Sequence, residues 1–201
     1  MLGVSNSKRL SISIKNVVKK YDTSHSNLLI SLFPNSEQST LIKSCKQLLK
    51  NHIKKFGSVN AAAHITVINF ENELSLQLHL DQIKEFCKAT IPQKVTLNDW
   101  GSFGESTFFI APDQTSQQYL DNLIIDLHRY LGFKIKSAHA HLSIARGLNT
   151  EKMNKACKIF RNTPINLQFN CDSFYLRRFN EQTHQYSDII EKIDFGNYSK
   201  T

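Results

Sequence analysis

The order of apolar and polar positions along the chain switches repeatedly between helical and strand-like spacing. Residues 27–33 (NLLISLF) are a short apolar run closed by Pro34-Asn35, which predicts a strand ending in a turn. Across 36–56, Leu41, Ile42, Cys45, Leu48, Leu49, His52 and Ile53 recur at three- and four-residue steps, with lysines on the other faces and Gly57 beyond. That spacing predicts an amphipathic helix. Residues 64–70 alternate as a strand, and 74–89 return to helical steps through Leu78, His79, Ile83, Phe86 and Cys87.

Beyond Pro92 two strands, 94–103 and 107–111, flank the turn residues Gly104-Glu105-Ser106 and predict a hairpin. A third helix covers 113–131, with Leu120, Leu123, Ile124, Leu127, Tyr130 and Leu131 on one stripe and Gly132 as its stop. Residues 139–146 alternate as a strand, 150–161 form a fourth helix, and three strand-like runs follow at 165–170, 172–179 and 184–195. The order β-α-β-α-β-β-α-β-α-β-β-β is too irregular for a doubly wound parallel sheet and too helical for a sandwich. The fold class is therefore α+β, and with no Pro/Gly linker between the two halves they are expected as two lobes packed as one unit.

Two of the predicted strands carry the same short pattern, His64-Ile65-Thr66-Val67 and His141-Leu142-Ser143-Ile144. Residues i and i+2 of a strand share a face. Each strand would bury its aliphatic pair and present an imidazole with a hydroxyl to a cleft. Phosphodiester cleavage needs a base for the attacking water and an acid for the departing oxygen, and two imidazoles supply both near neutral pH. Two hydroxyls can donate hydrogen bonds to the non-bridging phosphoryl oxygens. One such triplet is chance-level in a chain with eight histidines; two in matching context are not.

Composition narrows the partners without choosing one. The chain has 201 residues, 40% hydrophobic and 21% charged, and its longest apolar run is too short to span a bilayer. A formal charge of +8 favours phosphate-bearing partners. Cys45, Cys87, Cys157 and Cys171 are too scattered for a zinc site and read as reduced core thiols. Residues 1–25 are basic and weakly patterned and are expected as an extension to a single domain over 26–201. The Ser-Ile alternation after Lys8 and Arg9 interrupts any secretory apolar segment, so a cytoplasmic protein is expected. A monomer is expected as well.

The stretches AHITVINF at 63–70 and HAHLSIARG at 139–147 resemble the 2H phosphoesterases, the 2′-5′ RNA ligase-like or LigT-like superfamily. Weaker echoes lie in SFGESTFFIAP at 102–112 and in the final strands, and the likeness covers residues 27–196. It implies two pseudo-symmetric lobes, each an antiparallel sheet with helices on its outer side, facing each other across a central cleft. It also implies His64 and His141 as acid and base, and Thr66 and Ser143 as the phosphate-binding hydroxyls. We take His64 as the acid toward the leaving ribose oxygen and His141 as the base toward water, although nothing in the sequence breaks that symmetry. Ala63 stands where relatives often have Pro.

The expected activity is hydrolysis of a 2′,3′-cyclic phosphate at an RNA or nucleotide end, with joining to a 5′-hydroxyl as the reverse reaction. No metal and no cofactor are expected; a histidine metal site would need carboxylates that neither motif has beside it. The alternative is a non-catalytic RNA or nucleotide binding module in the same cleft. His139 is assigned to a strand edge, His52 and His79 to packing, and Phe70 and Phe103 to the core rather than to base stacking. Arg177 and Arg178 fit either RNA contact or a solvated edge. Lys43, Lys46, Lys50, Lys54 and Lys55 read as a solubilising face. Alternation along the strand places Arg146 on the aliphatic face, outside the catalytic set.

Overall fold

All five residues of the first strand, Leu28–Leu32 (β1), are buried, so β1 lies in the interior of its sheet with both faces covered. The computed structural model describes residues 27–196; the basic stretch 1–25 and His25 lie outside them. After β1 come α1 (Ser36–Ile53), β2 (Ile65–Phe70), α2 (Glu73–Gln77), α3 (Leu80–Ala89), β3 (Gln93–Phe103), β4 (Thr107–Pro112) and α4 (Gln114–Tyr130). The chain continues with β5 (Leu142–Ala145), α5 (Thr150–Phe160), β6 (Leu167–Cys171), β7 (Ser173–Asn180) and β8 (Gln185–Asp194). Asn35, Asn72, Asp113 and Asn149 cap α1, α2, α4 and α5 by accepting a backbone N–H three residues on.

The strands form one antiparallel sheet in the order β6-β3-β4-β5-β2-β1-β7-β8. It divides into two four-stranded halves that meet where β5 touches β2, through the single pair Ile65↔Leu142. The two lobes thus share an edge. Helices cover the sheet in pairs: α1 packs on α5 and β5, while α3 packs on α4 and β8, and α4 also meets β2, β3 and β4. One hydrophobic core runs through both halves.

Four sequence expectations change. The helix expected over 74–89 breaks at Leu78-His79, where the His79 ring packs against Phe133 (4.9 Å) and Leu78 is left 69% exposed. The strand expected over 139–146 shortens to β5 because the Ala140 N–H is taken by Asp121 Oδ1 at 2.7 Å instead of by a neighbouring strand. Cys157 lies on the solvent face of α5 rather than in the core, whereas Cys45, Cys87 and Cys171 are buried. In α1, Leu41 and Leu48 are exposed and Lys46 is buried at 3% exposure. The positions Ile42, Lys46, Leu49 and Ile53 follow one helical stripe, with Lys46 in its middle.

Candidate active site

The β2–β5 register brings the two histidine motifs side by side. With Ile65 opposite Leu142 in an antiparallel pair, His64 falls beside Ser143 and Thr66 beside His141. Ile65, Val67, Leu142 and Ile144 are buried in the core, and all four polar residues line one cavity of about 610 Å³. The structure therefore brings together every residue that the sequence singled out for the site.

Both imidazoles are held the same way. His64 Nδ1 bonds the Ala62 carbonyl and His141 Nδ1 bonds the His139 carbonyl, each at 2.8 Å. A carbonyl only accepts, so Nδ1–H donates in each ring and Nε2 is the nitrogen left for the cavity. His139 thus contributes its backbone, and its exposed side chain does not line the site.

The surroundings of the two rings differ. Burial, with Arg177, Arg146 and Lys46 adding like charge, pushes the His64 pKa down to about 4, against the raising effect of its bond to Ala62. His141 is also lowered, first by burial and then by Arg146 and His139, but its bond to the His139 carbonyl and the nearby Asp121 act the other way. Two aromatic rings flank it, Phe103 edge-on at 4.8 Å and Phe109 at 5.1 Å. Phe103, expected in the core, is 40% exposed and lines the cavity, while Phe70 is in the core as expected.

Arg146 is the clearest departure from strand alternation. It lines the cavity, and its Nε donates to Ser143 Oγ at 3.2 Å. The cause is a β-bulge. Phe109 pairs with Ser143 and Phe108 with Ala145, which leaves Ile144 as an extra residue and reverses the facing of the positions beyond it. β2 does the same: Ser31 pairs with Thr66 and Ile30 with Ile68, leaving Val67 extra, and Asn69 returns to the cavity face.

Lys46 and Arg177 complete the cationic lining. Lys46 Nζ donates to the Ser58 and Ala61 carbonyls at 3.0 and 2.8 Å, and burial beside Arg146 lowers its pKa to about 8. Arg178, the next residue on β7, points the other way and pairs with Glu73. Strand alternation could have separated these two arginines, and the α1 stripe could have singled out Lys46. His52 is exposed rather than packed, whereas His79 is packed against Phe70 and Phe133. His184 and Tyr186, at the start of β8, join the cavity wall and carried no sequence signal that marked them.

A sheet of two matched halves, each offering a histidine and a hydroxyl to one shared cavity, defines a two-lobed protein built on paired motifs. A family model described as the 2′-5′ RNA ligase superfamily matches residues 27–183. The chain belongs to that superfamily, the 2H phosphoesterases. No curated protein matches it by sequence. Among solved structures it is similar to E. coli LigT complexed with 3′-AMP, with a TM-score of 0.56 at 12% identity over 86% of this chain and 99% of that one. Usb1 of Kluyveromyces marxianus gives 0.52 at 12% identity over 86% and 99%. TT0787 of Thermus thermophilus gives 0.53 at 13% over 86% and 100%. These likenesses establish the fold. Among the described residues no helix is long and apolar enough to cross a membrane.

Proposed function

We propose that the protein is a phosphoesterase that opens 2′,3′-cyclic phosphates at RNA or nucleotide ends, using His64 and His141 as base and acid without a metal. The observation that carries this reading is the matched pair of imidazoles, each tied through Nδ1 to a carbonyl two residues earlier and each leaving Nε2 for one cavity. One Nε2 takes a proton from water as the new P–O bond forms. The other gives a proton to the ribose oxygen as its bond to phosphorus breaks, leaving a 2′-phosphate if O3′ departs. Thr66 and Ser143 hold the non-bridging oxygens, with Arg146 beside Ser143 adding charge. Replacing water by a 5′-hydroxyl gives the joining reaction through the same steps.

The electrostatics favour His64 as the base and His141 as the acid, the reverse of the assignment taken from sequence. Burial disfavours the protonated form of both rings; at His64 Arg177, Arg146 and Lys46 add to it, whereas at His141 Arg146 and His139 add to it and Asp121 acts in part against them. Among the described residues no three His, Cys, Asp or Glu side chains cluster as metal ligands.

The test is turnover of a 2′,3′-cyclic nucleotide and of a cyclic-ended oligonucleotide, with and without EDTA, by wild type, His64→Ala and His141→Ala. Each variant is expected to lose about 10²- to 10⁴-fold in kcat, the usual worth of one acid or base. Wild-type inactivity on every cyclic phosphate would refute the reading, EDTA inhibition would refute its metal-free form, and full rates in both variants would move the site elsewhere.

A further inference from the structure

The cavity carries more positive charge than a cyclic phosphate needs. Lys46, Arg146 and Arg177 line it, and among the described residues no carboxylate does. None of the three enters an ion pair among those residues. A cyclic phosphodiester brings one negative charge, and Arg146 is already engaged at Ser143. Lys46 and Arg177 are left over.

Arg177 is 2% exposed, and its Nε and Nη1 are buried with no hydrogen-bond partner. The Phe33 ring lies over its guanidinium at 5.3 Å, and the residue lines the cavity. Buried donors are nearly always satisfied, and leaving one unpaired is costly, the more so when it is charged. Lys46 places two of its three ammonium protons on carbonyls and keeps one.

We propose that Lys46 and Arg177 form a second anion subsite beside the two histidine motifs, and that it receives a phosphate carried on the 5′ oxygen of the cyclic-ended nucleoside. In such a nucleoside the 2′ and 3′ oxygens both belong to the cyclic phosphate, which leaves the 5′ oxygen as the ribose position for another. That phosphate is either a 5′-monoester or the link to the preceding nucleotide. A guanidinium edge suits both, because each offers two non-bridging oxygens to a fork of N–H donors. The inference rests on the phosphoesterase reading for its substrate class and on the unpaired guanidinium for its location.

Calorimetric binding of adenosine 2′-monophosphate and adenosine 2′,5′-bisphosphate, which need no turnover, tests the subsite directly. Wild type is expected to prefer the bisphosphate by about tenfold or more, the equivalent of about 1.4 kcal/mol. Arg177→Gln and Lys46→Gln are each expected to bring the two ligands within about threefold, consistent with loss of a charge-assisted hydrogen bond; having two variants guards against one failing to fold. Equal binding by wild type, or a preference kept by both variants, overturns the subsite. A parallel kcat/KM comparison of cyclic adenosine phosphate bearing a 5′-hydroxyl, a 5′-phosphate or a preceding nucleotide tells the two phosphate sources apart. A bisphosphate preference without turnover of any of the three removes the phosphoesterase reading and leaves the subsite; turnover without the preference does the opposite.

Discussion

Val67 and Ile144 are each the extra residue of a β-bulge, and each is the fourth residue of its histidine motif. The bulge lets one short strand serve two purposes. Before it, alternation sends the histidine and the hydroxyl to the cavity and the aliphatic residue between them to the core. After it the alternation is reversed, so Asn69 in one half and Arg146 in the other come back to the cavity. These two residues occupy equivalent places in the halves, and their difference in charge is where the pseudo-symmetry of the site ends.

Arg146→Ala removes a cation and the Nε–H that Ser143 Oγ accepts. A hydrogen bond to a charged group contributes about 1.5–3 kcal/mol, so kcat/KM on cyclic phosphates is expected to fall by roughly 10- to 100-fold. The same change should raise the pKa of His64, His141 and Lys46 together, because Arg146 lowers all three. Imidazole titration followed by NMR reads this directly, and unmoved histidine pKa values would show that Arg146 does not act on them.

Gly101 matters through its lack of a side chain. A Cβ there would sit 2.4 Å from the Phe109 ring, and that ring packs at 5.1 Å from His141. Gly101→Ala is expected to cost about 1–3 kcal/mol by overpacking. It is also expected to lower kcat more than it changes KM, since the displaced ring supports an imidazole. Urea denaturation and steady-state kinetics on one preparation check both parts; a fully stable variant with unchanged kcat would mean the ring yields freely.

The pairing of the motifs was legible because a strand has a period of two and each motif fits within it. His64, Thr66, His141 and Ser143 could be placed on one face from spacing alone, and the α+β class followed from element order. Arg146 was not, because a bulge leaves no mark in a run such as LSIAR: Ile144 is as apolar as a regular strand residue would be. Lys46 and Arg177 were hidden differently. A buried cation looks like a surface one in sequence, and only its place within the stripe of α1, or its contrast with Arg178 on β7, sets it apart. The break between α2 and α3 was missed because Leu78 and His79 keep the helical apolar spacing that normally signals continuity.

The depressed His64 pKa has a consequence for stability. The folded chain keeps this ring neutral down to about pH 4, whereas the unfolded ring protonates near 6.5. Between those values the unfolded state binds more protons, so stability is full above about 6.5 and declines as pH falls toward 4, by at most about 1.4 kcal/mol per pH unit for this group. His64→Ala should flatten that part of the profile relative to wild type. Parallel slopes for the two proteins in urea melts between pH 4 and 7 would show that His64 is not depressed.

The rate profile should distinguish the roles of the two histidines. In the free enzyme the base must be neutral and the acid protonated, so kcat/KM rises with pH through the lower pKa and falls through the higher. His64 titrates at about 4 and His141 below its ordinary 6.5, which sets the optimum of kcat/KM on the acid side of 6.5. With His64 as base, His64→Ala loses the acid limb of the residual activity and keeps the alkaline one, whereas His141→Ala loses the alkaline limb. The opposite pattern would return the acid role to His64. An anionic substrate offsets Arg146, Arg177 and Lys46, so both pKa values rise in the complex, and the kcat profile should lie at higher pH than that of kcat/KM. Coincident profiles would mean that bound phosphate does not reach these cations.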